Sequence, residues 1–348
     1  MPRALVVGAT GVIGRAVAQR LVADGGWDVV CATRTGEAVT GARGLHVDLL
    51  DAASCERAQQ EIGSVSHLFY AAYQPRPSRA EEIAPNRDML GHAVDLANAG
   101  GGLERVVLFT GGKVYGLQWG AIKTPAREGD PRSLGPNFYF AQEDLLRERS
   151  AREGWRWSHL VPPFVTGFSE RAPMNLVMVL AVLATLAREC GQPLRFPGPQ
   201  AAWASLHHVA DADQIAAAAA WAARSPQAVD QVFNVANGDP GRWQHVWPGI
   251  ASHFGLPAAE PAPLSLTQVA ESLRPLWRAI AAREGLRQDD LLKLVDWRWA
   301  DYMFHTAFAN DVLFETGKIR RAGFHDCLDT EATLTRRFAQ LQTLRLIP

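Results

Sequence analysis

Three glycines near the N-terminus constrain the fold of this chain more than any other feature. The stretch ALVVGATGVIGRAVAQRL places Gly8, Gly11 and Gly14 after an apolar, strand-like run and at the start of a helix-like one. Glycine permits a tight turn and lets the backbone approach a pyrophosphate, whose charge a helix N-terminus stabilises. The motif therefore predicts a dinucleotide site, and the remaining turn residues are expected to line it: Thr10, Val12 and Ile13. The alternative is a glycine turn that serves only helix–sheet packing.

The first half of the chain alternates strand-like and helix-like segments. The apolar runs ALVVG, DVVCA, SHLFYAA and RVVLFTG are typical of parallel strands buried on both faces. Between them, 12–23 and 87–99 carry apolar residues at helical spacing. This alternation predicts an α/β fold, a Rossmann-type doubly wound parallel sheet with helices on both faces.

After about residue 165 the pattern loosens and prolines interrupt it. We expect residues 1–165, completed by about 201–236, to form the nucleotide-binding domain. Residues 166–200 and 237–348 are expected to form a smaller substrate-binding portion. The most apolar run, 174–187, is too short to span a bilayer and is expected to pack as a helix over a cavity or at an interface.

Charge and cysteine usage exclude several classes of protein. The net charge is −1 and the arginines are scattered, which argues against a nucleic-acid partner. The four cysteines lie far apart, and the adjacent His207 and His208 would point to opposite faces of a strand, so no metal site is expected. No membrane span or secretion leader is visible, and a reducing cytoplasm fits best. The low charge and the apolar 174–187 segment allow a homodimer.

The end of the second strand indicates which dinucleotide binds. An acidic residue there would bind a ribose 2′-hydroxyl, but this chain has Arg34, preceded by Thr33. Arg34 favours NADPH/NADP+ over NADH, unless it is an ordinary surface arginine. The other residues expected along the cofactor follow later strands: Asp48 and Leu49 at the adenine, then Ala71, Ala72 and Thr110.

Lys113 and Tyr139 are the candidate catalytic residues. Lys113 follows a buried strand in VVLFTGGKVYG, at the edge of the sheet where ligands bind. Tyr139 lies in NFYFAQED, where the residue one helical turn later is Glu143 instead of the lysine that usually accompanies a catalytic tyrosine. Lys113 is expected to supply that cation, to stand near the nicotinamide ribose and to make the phenol a better acid. For Tyr139 alone, ordinary packing is the alternative.

These motifs resemble the progesterone 5β-reductase/iridoid synthase (PRISE) group of atypical extended short-chain dehydrogenases/reductases. The similarity rests on TGGKVYG, NFYFAQED, DADQIA and FNVANGDPGRWQHVW and covers nearly the whole chain. It implies NADPH-dependent reduction of the C=C bond of a small enone or enal. The hydride would add to the β-carbon, and Tyr139 would stabilise the enolate oxygen, with Lys113 as the family's catalytic lysine.

The resemblance also implies a substrate pocket with two departures from the family. Val161 replaces an arginine, and Phe164 replaces a pocket asparagine of the plant enzymes, which makes the site less polar. The other residues expected to line the pocket are Tyr73, Trp119 and Met174. Two alternatives remain open: a carbonyl reductase or epimerase/dehydratase of the same superfamily, and a dinucleotide-sensing protein without turnover.

Overall fold

A seven-stranded, fully parallel sheet forms the centre of the computed structural model, which describes residues 1–348. Its strand order is β11-β6-β5-β4-β1-β2-β3, and three two-stranded pairs lie outside it. The strands are β1 (Arg3–Val7), β2 (Asp28–Thr33), β3 (Arg43–His46), β4 (His67–Tyr70), β5 (Arg105–Phe109), β6 (Arg156–Val161), β7 (Phe164–Thr166), β8 (Leu194–Arg195), β9 (Leu206–His207), β10 (Val209–Asp211), β11 (Gln231–Asn234), β12 (Gly241–Arg242) and β13 (Ala258–Ala259).

Helices cover both faces of this sheet, as a doubly wound fold requires. One face carries α1 and α7, which pack against each other, and the other carries α2, α3 and α4. The helices are α1 (Val12–Asp24), α2 (Ala52–Ile62), α3 (Arg79–Asn98), α4 (Phe138–Glu153), α5 (Leu176–Glu189), α6 (Gln200–Ala204), α7 (Ala212–Arg224), α8 (Trp243–His253), α9 (Leu266–Glu284), α10 (Leu291–Leu294), α11 (Trp297–His305), α12 (Gly317–Arg321) and α13 (Thr330–Thr343).

Three hydrophobic clusters form the core, and the predicted Rossmann-type sheet is confirmed. Two clusters lie on the two faces of the sheet, and the largest, of 43 residues, lies mainly between 161 and 347. β11 and α7 come from the stretch expected to complete the nucleotide-binding domain. The division of the chain into two portions stays a prediction.

The apolar run at 174–187 forms most of α5, and ten of the fourteen residues of this helix are buried within the chain. It therefore offers no exposed apolar face, and a homodimer, which stays a prediction, would need another surface. None of the helices has both the length and the apolar character needed to cross a membrane.

Candidate active site

The glycine turn after β1 has the close packing that its sequence predicts. Gly8 has φ +82°, and a Cβ there would come within 2.9 Å of the backbone of Ala71 and Ala72. A Cβ on Gly14 would overlap the carbonyl of Gly8. Helix α1 begins after Gly11 with no side-chain cap, so its first N–H groups are free for an anion. A narrow backbone cradle with unpaired donors fits a pyrophosphate.

The other residues expected at the turn and at the end of β2 differ in whether their polar groups already make hydrogen bonds within the chain. The carbonyl of Thr10 accepts a hydrogen bond from Ser169 Oγ (2.6 Å), and the buried Thr33 hydroxyl donates to the carbonyl of Glu37 (3.1 Å). Arg34 directly follows β2, is exposed and makes no hydrogen bond or ion pair. Its guanidinium is therefore free for a ligand. Two further turn residues are half-buried at the start of α1: Val12 and Ile13.

The two residues expected at the adenine lie together after β3. The Asp48 carboxylate accepts from the backbone N–H of Leu50 (2.9 Å), and Leu49 is buried. The carbonyl of Leu49 accepts from His92 Nδ1 (2.6 Å), which fastens this loop to α3. These hydrogen bonds thus hold the loop in place beside α3.

Asn137 brings the two candidate catalytic segments together. Its Oδ1 accepts from the backbone N–H of Tyr139 (3.1 Å) and so caps α4. Its Nδ2 donates to the carbonyl of Lys113 (2.7 Å), which lies in a 3-10 turn at Gly112–Tyr115. The Tyr139 hydroxyl reaches the loop after β5, since a Cβ built on Gly111 would lie 3.7 Å from it. The phenol therefore lies at the carboxyl ends of the strands.

The Lys113 ammonium lies in an aromatic pocket formed by Tyr73 and by Phe138, the residue before Tyr139. Its Nζ is 5.4 Å from the ring centre of Tyr73 and 5.9 Å from that of Phe138, and these two rings stack 5.3 Å apart. The rings of Phe138 and Tyr139 are 4.2 Å apart. Four of the predicted or adjoining residues thus form one cluster: Tyr73, Lys113, Phe138 and Tyr139.

The electrostatics of this cluster differ from those expected from the sequence. Burial raises the pKa of the Tyr139 phenol, and the negative charge of Glu82 raises it further. Burial also lowers the pKa of Lys113; Glu82 opposes that shift and Arg79 adds to it. The expected acidification of Tyr139 by Lys113 is not seen without a bound ligand. Tyr139 is therefore a neutral hydrogen-bond donor in this structure.

Thr110, expected along the cofactor, has its hydroxyl engaged at the end of β5. Thr110 Oγ1 and His159 Nε2 are 2.6 Å apart, and both residues are buried. Burial lowers the pKa of His159 to about 4, so this histidine is neutral. It fixes the rotamer of Thr110, which keeps one oxygen lone pair for a ligand.

Three residues expected to line the substrate pocket lie in different surroundings. Phe164 is 5% exposed and packs on His207 and Phe308. Trp119 is 55% exposed with the Arg79 guanidinium 5.4 Å from its ring, and Met174 is 41% exposed. They therefore stay separate candidates for a pocket wall.

Sequence reasoning missed four residues of this site. Glu82 and Arg79 carry charge into it, and their spacing on α3 gives no motif. His159 lies inside a strand, and a single histidine there does not by itself indicate a role in the site. Asn137 could have been found, because an asparagine before a helix is a common N-cap.

The comparisons with known proteins agree with this geometry. The family model described as "PRISE-like Rossmann-fold domain" matches residues 39–348. The chain is 30% identical to (S)-8-oxocitronellyl enol synthase CYC2 of Camptotheca acuminata, over 99% of this chain and 93% of that protein. It is also 30% identical to the 3-oxo-Delta(4,5)-steroid 5-beta-reductase of Arabidopsis thaliana, over 86% and 81% of the two chains.

Solved structures share the fold at lower sequence identity. The Bordetella bronchiseptica enzyme WbmH in complex with NAD+ superposes with a TM-score of 0.65 and 14% identity. The match covers 98% of this chain and 99% of that one. At this identity the likeness establishes the architecture and leaves the reaction to the residues of the site.

Proposed function

This chain belongs to the PRISE-like Rossmann-fold family, and from that premise we propose that it reduces the C=C bond of a small enone or enal. As a member of the family it is an oxidoreductase that uses NADPH. The observation that carries the proposal is the joining of Lys113 and Tyr139 in one aromatic cluster. This pair replaces the usual tyrosine–lysine spacing on a single helix.

The residues present fit the cofactor. The cradle at Gly8 and Gly14 admits backbone and phosphate but no Cβ, and the first N–H groups of α1 are free. The unpaired guanidinium of Arg34 would bind a 2′-phosphate and so favour NADPH over NADH. Ala71 and Ala72 lie against the glycine turn, and their small side chains would leave room for the cofactor.

The chemistry asked of the protein is stabilisation of negative charge on an oxygen. When bound, the cofactor would supply the hydride for the β-carbon of the substrate. Tyr139, neutral and at the carboxyl ends of the strands, would donate a hydrogen bond to the carbonyl oxygen as charge develops there. One such donor contributes about 10²–10³ in rate in comparable sites. The Lys113 ammonium would add positive charge close by, and the α-carbon would take its proton from solvent or another donor.

The test is NADPH consumption with cyclohex-2-enone, with the product identified. We expect cyclohexanone from the wild type, and strongly reduced turnover from Tyr139→Phe and Lys113→Ala. An unsaturated alcohol would instead assign the protein to the carbonyl reductases. Tight NADPH binding without oxidation by any enone would support a sensor, and unchanged turnover in both variants would refute the roles of the two residues.

A further inference from the structure

Glu82 is a buried carboxylate that the proposed reaction does not use. It is 7% exposed, lies in the first turn of α3 and accepts a hydrogen bond from the Tyr73 hydroxyl. It forms no ion pair, although a buried carboxylate without a compensating charge is costly. The Lys113 ammonium likewise makes no hydrogen bond or ion pair. Tyr73 contacts both unpaired charges, since its hydroxyl binds the carboxylate and its ring centre lies 5.4 Å from the ammonium.

Asn86 holds Glu82 and Tyr73 in a fixed relation. Its Oδ1 accepts from the backbone N–H of Gln74, and its Nδ2 donates to the carbonyls of Gln74 and Glu82, all at 2.8 Å. Asn86 is fully buried. The loop that carries Tyr73 is therefore held against the helical turn that carries Glu82, which keeps the Tyr73 hydroxyl within reach of the carboxylate.

We propose that Glu82 is a positioning residue: it orients Tyr73, and it supplies the negative charge that balances the half-buried ammonium of Lys113. Its consequence for catalysis rests on the proposed function, since Lys113 must be charged to assist Tyr139. The arrangement itself does not depend on which substrate binds.

The charged and titratable groups around Lys113 determine in which direction each substitution should shift its pKa. Glu82 and Arg79 on α3 act on its charge, and the Tyr73 ring lies 5.4 Å from its Nζ. From α4 the ring of Phe138, the residue before Tyr139, lies 5.9 Å from the same atom. Burial raises the pKa of both tyrosines, so they stay neutral at physiological pH. Removing the Glu82 charge should therefore lower the pKa of Lys113, whereas removing the Arg79 charge should raise it.

The chain suits a direct titration, because it has only four lysines: Lys113, Lys123, Lys293 and Lys318. Lysine labelled with ¹³C at Cε would give four NMR signals, assigned with single Lys→Arg variants and followed against pH in the NADPH-free protein. In Glu82→Gln the Lys113 signal should titrate about one pH unit lower than in the wild type. In Arg79→Gln it should titrate higher. The matched control is Glu81→Gln, which neutralises an exposed carboxylate on the same turn and should leave Lys113 unchanged.

Opposite shifts from two residues of one helical turn cannot come from general loosening of the site. An unchanged Lys113 titration in Glu82→Gln would overturn the proposal. If Glu82→Gln does not fold, the double variant Glu82→Gln/Lys113→Met should fold, because the buried carboxylate and the charge it balances are then removed together; failure of that variant too would overturn the proposal. The titration needs no turnover, so a protein that reduces no enone would refute the proposed function and leave this result standing.

Discussion

The two ends of the cofactor cleft are built in different ways. At the glycine turn the backbone makes the site, and Gly8, Gly11 and Gly14 lie within seven consecutive residues. At the reactive end side chains make the site, and Tyr73, Glu82, Lys113 and Tyr139 come from separate segments. A backbone site depends on what is absent, namely Cβ atoms, whereas a side-chain site depends on charges that compensate one another across the fold.

This difference predicts different failures when each end is altered. Substitutions at the glycine turn should weaken cofactor binding, because they obstruct the cradle. Substitutions at the reactive end should reduce kcat and spare binding, because they remove a donor or a charge. The four experiments that follow test this separation, in order of decreasing effect.

The largest effect is expected from Tyr139→Phe. Loss of the hydroxyl removes the donor to the developing oxyanion, so kcat should fall by about 10²–10³ while the Kd for NADPH stays unchanged. Steady-state kinetics with cyclohex-2-enone and NADPH fluorescence titration measure the two quantities. Adding Phe140→Tyr to this variant moves a hydroxyl to the next residue and should not restore kcat. Equal losses in kcat and NADPH affinity would contradict the separation.

Gly14→Ala should act on the other end. Its Cβ would overlap the Gly8 carbonyl, so the turn must open and NADPH affinity should fall about a hundredfold. Gly91→Ala, within α3, is the matched control, because its Cβ would meet only Leu145 at 3.8 Å and alanine favours a helix. Fluorescence titration of NADPH gives the affinities, and thermal unfolding checks that both variants fold. Wild-type affinity in a folded Gly14→Ala would contradict the model of a backbone cradle.

The same difference explains what the sequence could predict. The sheet and the glycine turn could be anticipated, because strand periodicity and glycine spacing are local. The pairing of Lys113 with Tyr139's segment could be anticipated for another reason, since Lys113 follows a buried strand at the edge where ligands bind. The raised pKa of Tyr139 could not, because Glu82 is 57 residues away and its spacing from Arg79 on α3 matches no motif. The sequence predicted an acidified phenol because it revealed the cation and not the burial or the nearby carboxylate. Charges that compensate one another across the fold leave no periodic pattern in the sequence.

Arg34→Gln tests selectivity at the cofactor end. A guanidinium that binds the 2′-phosphate contributes a charge-assisted pair, so KM for NADPH should rise about tenfold while KM for NADH changes little. The control is Arg57→Gln, which removes a charge from the exposed face of α2 and should alter neither constant. An unchanged KM for both cofactors would mean that Arg34 is an ordinary surface arginine, and equal rises for both would mean that it does not select the 2′-phosphate.

Asn137→Ala should have the smallest effect and tests the join between the two catalytic segments. The variant loses the cap of α4 and the hydrogen bond to the Lys113 carbonyl, so the free energy of unfolding should fall by about 1–2 kcal/mol. Because both catalytic residues then gain freedom, kcat should also fall severalfold. Asp329→Ala removes a comparable cap from α13, far from the cluster, and should cost about 1 kcal/mol with kcat unchanged. Chemical denaturation and steady-state kinetics separate the two quantities. If both variants lose stability and neither loses kcat, Asn137 caps its helix without aligning the two segments.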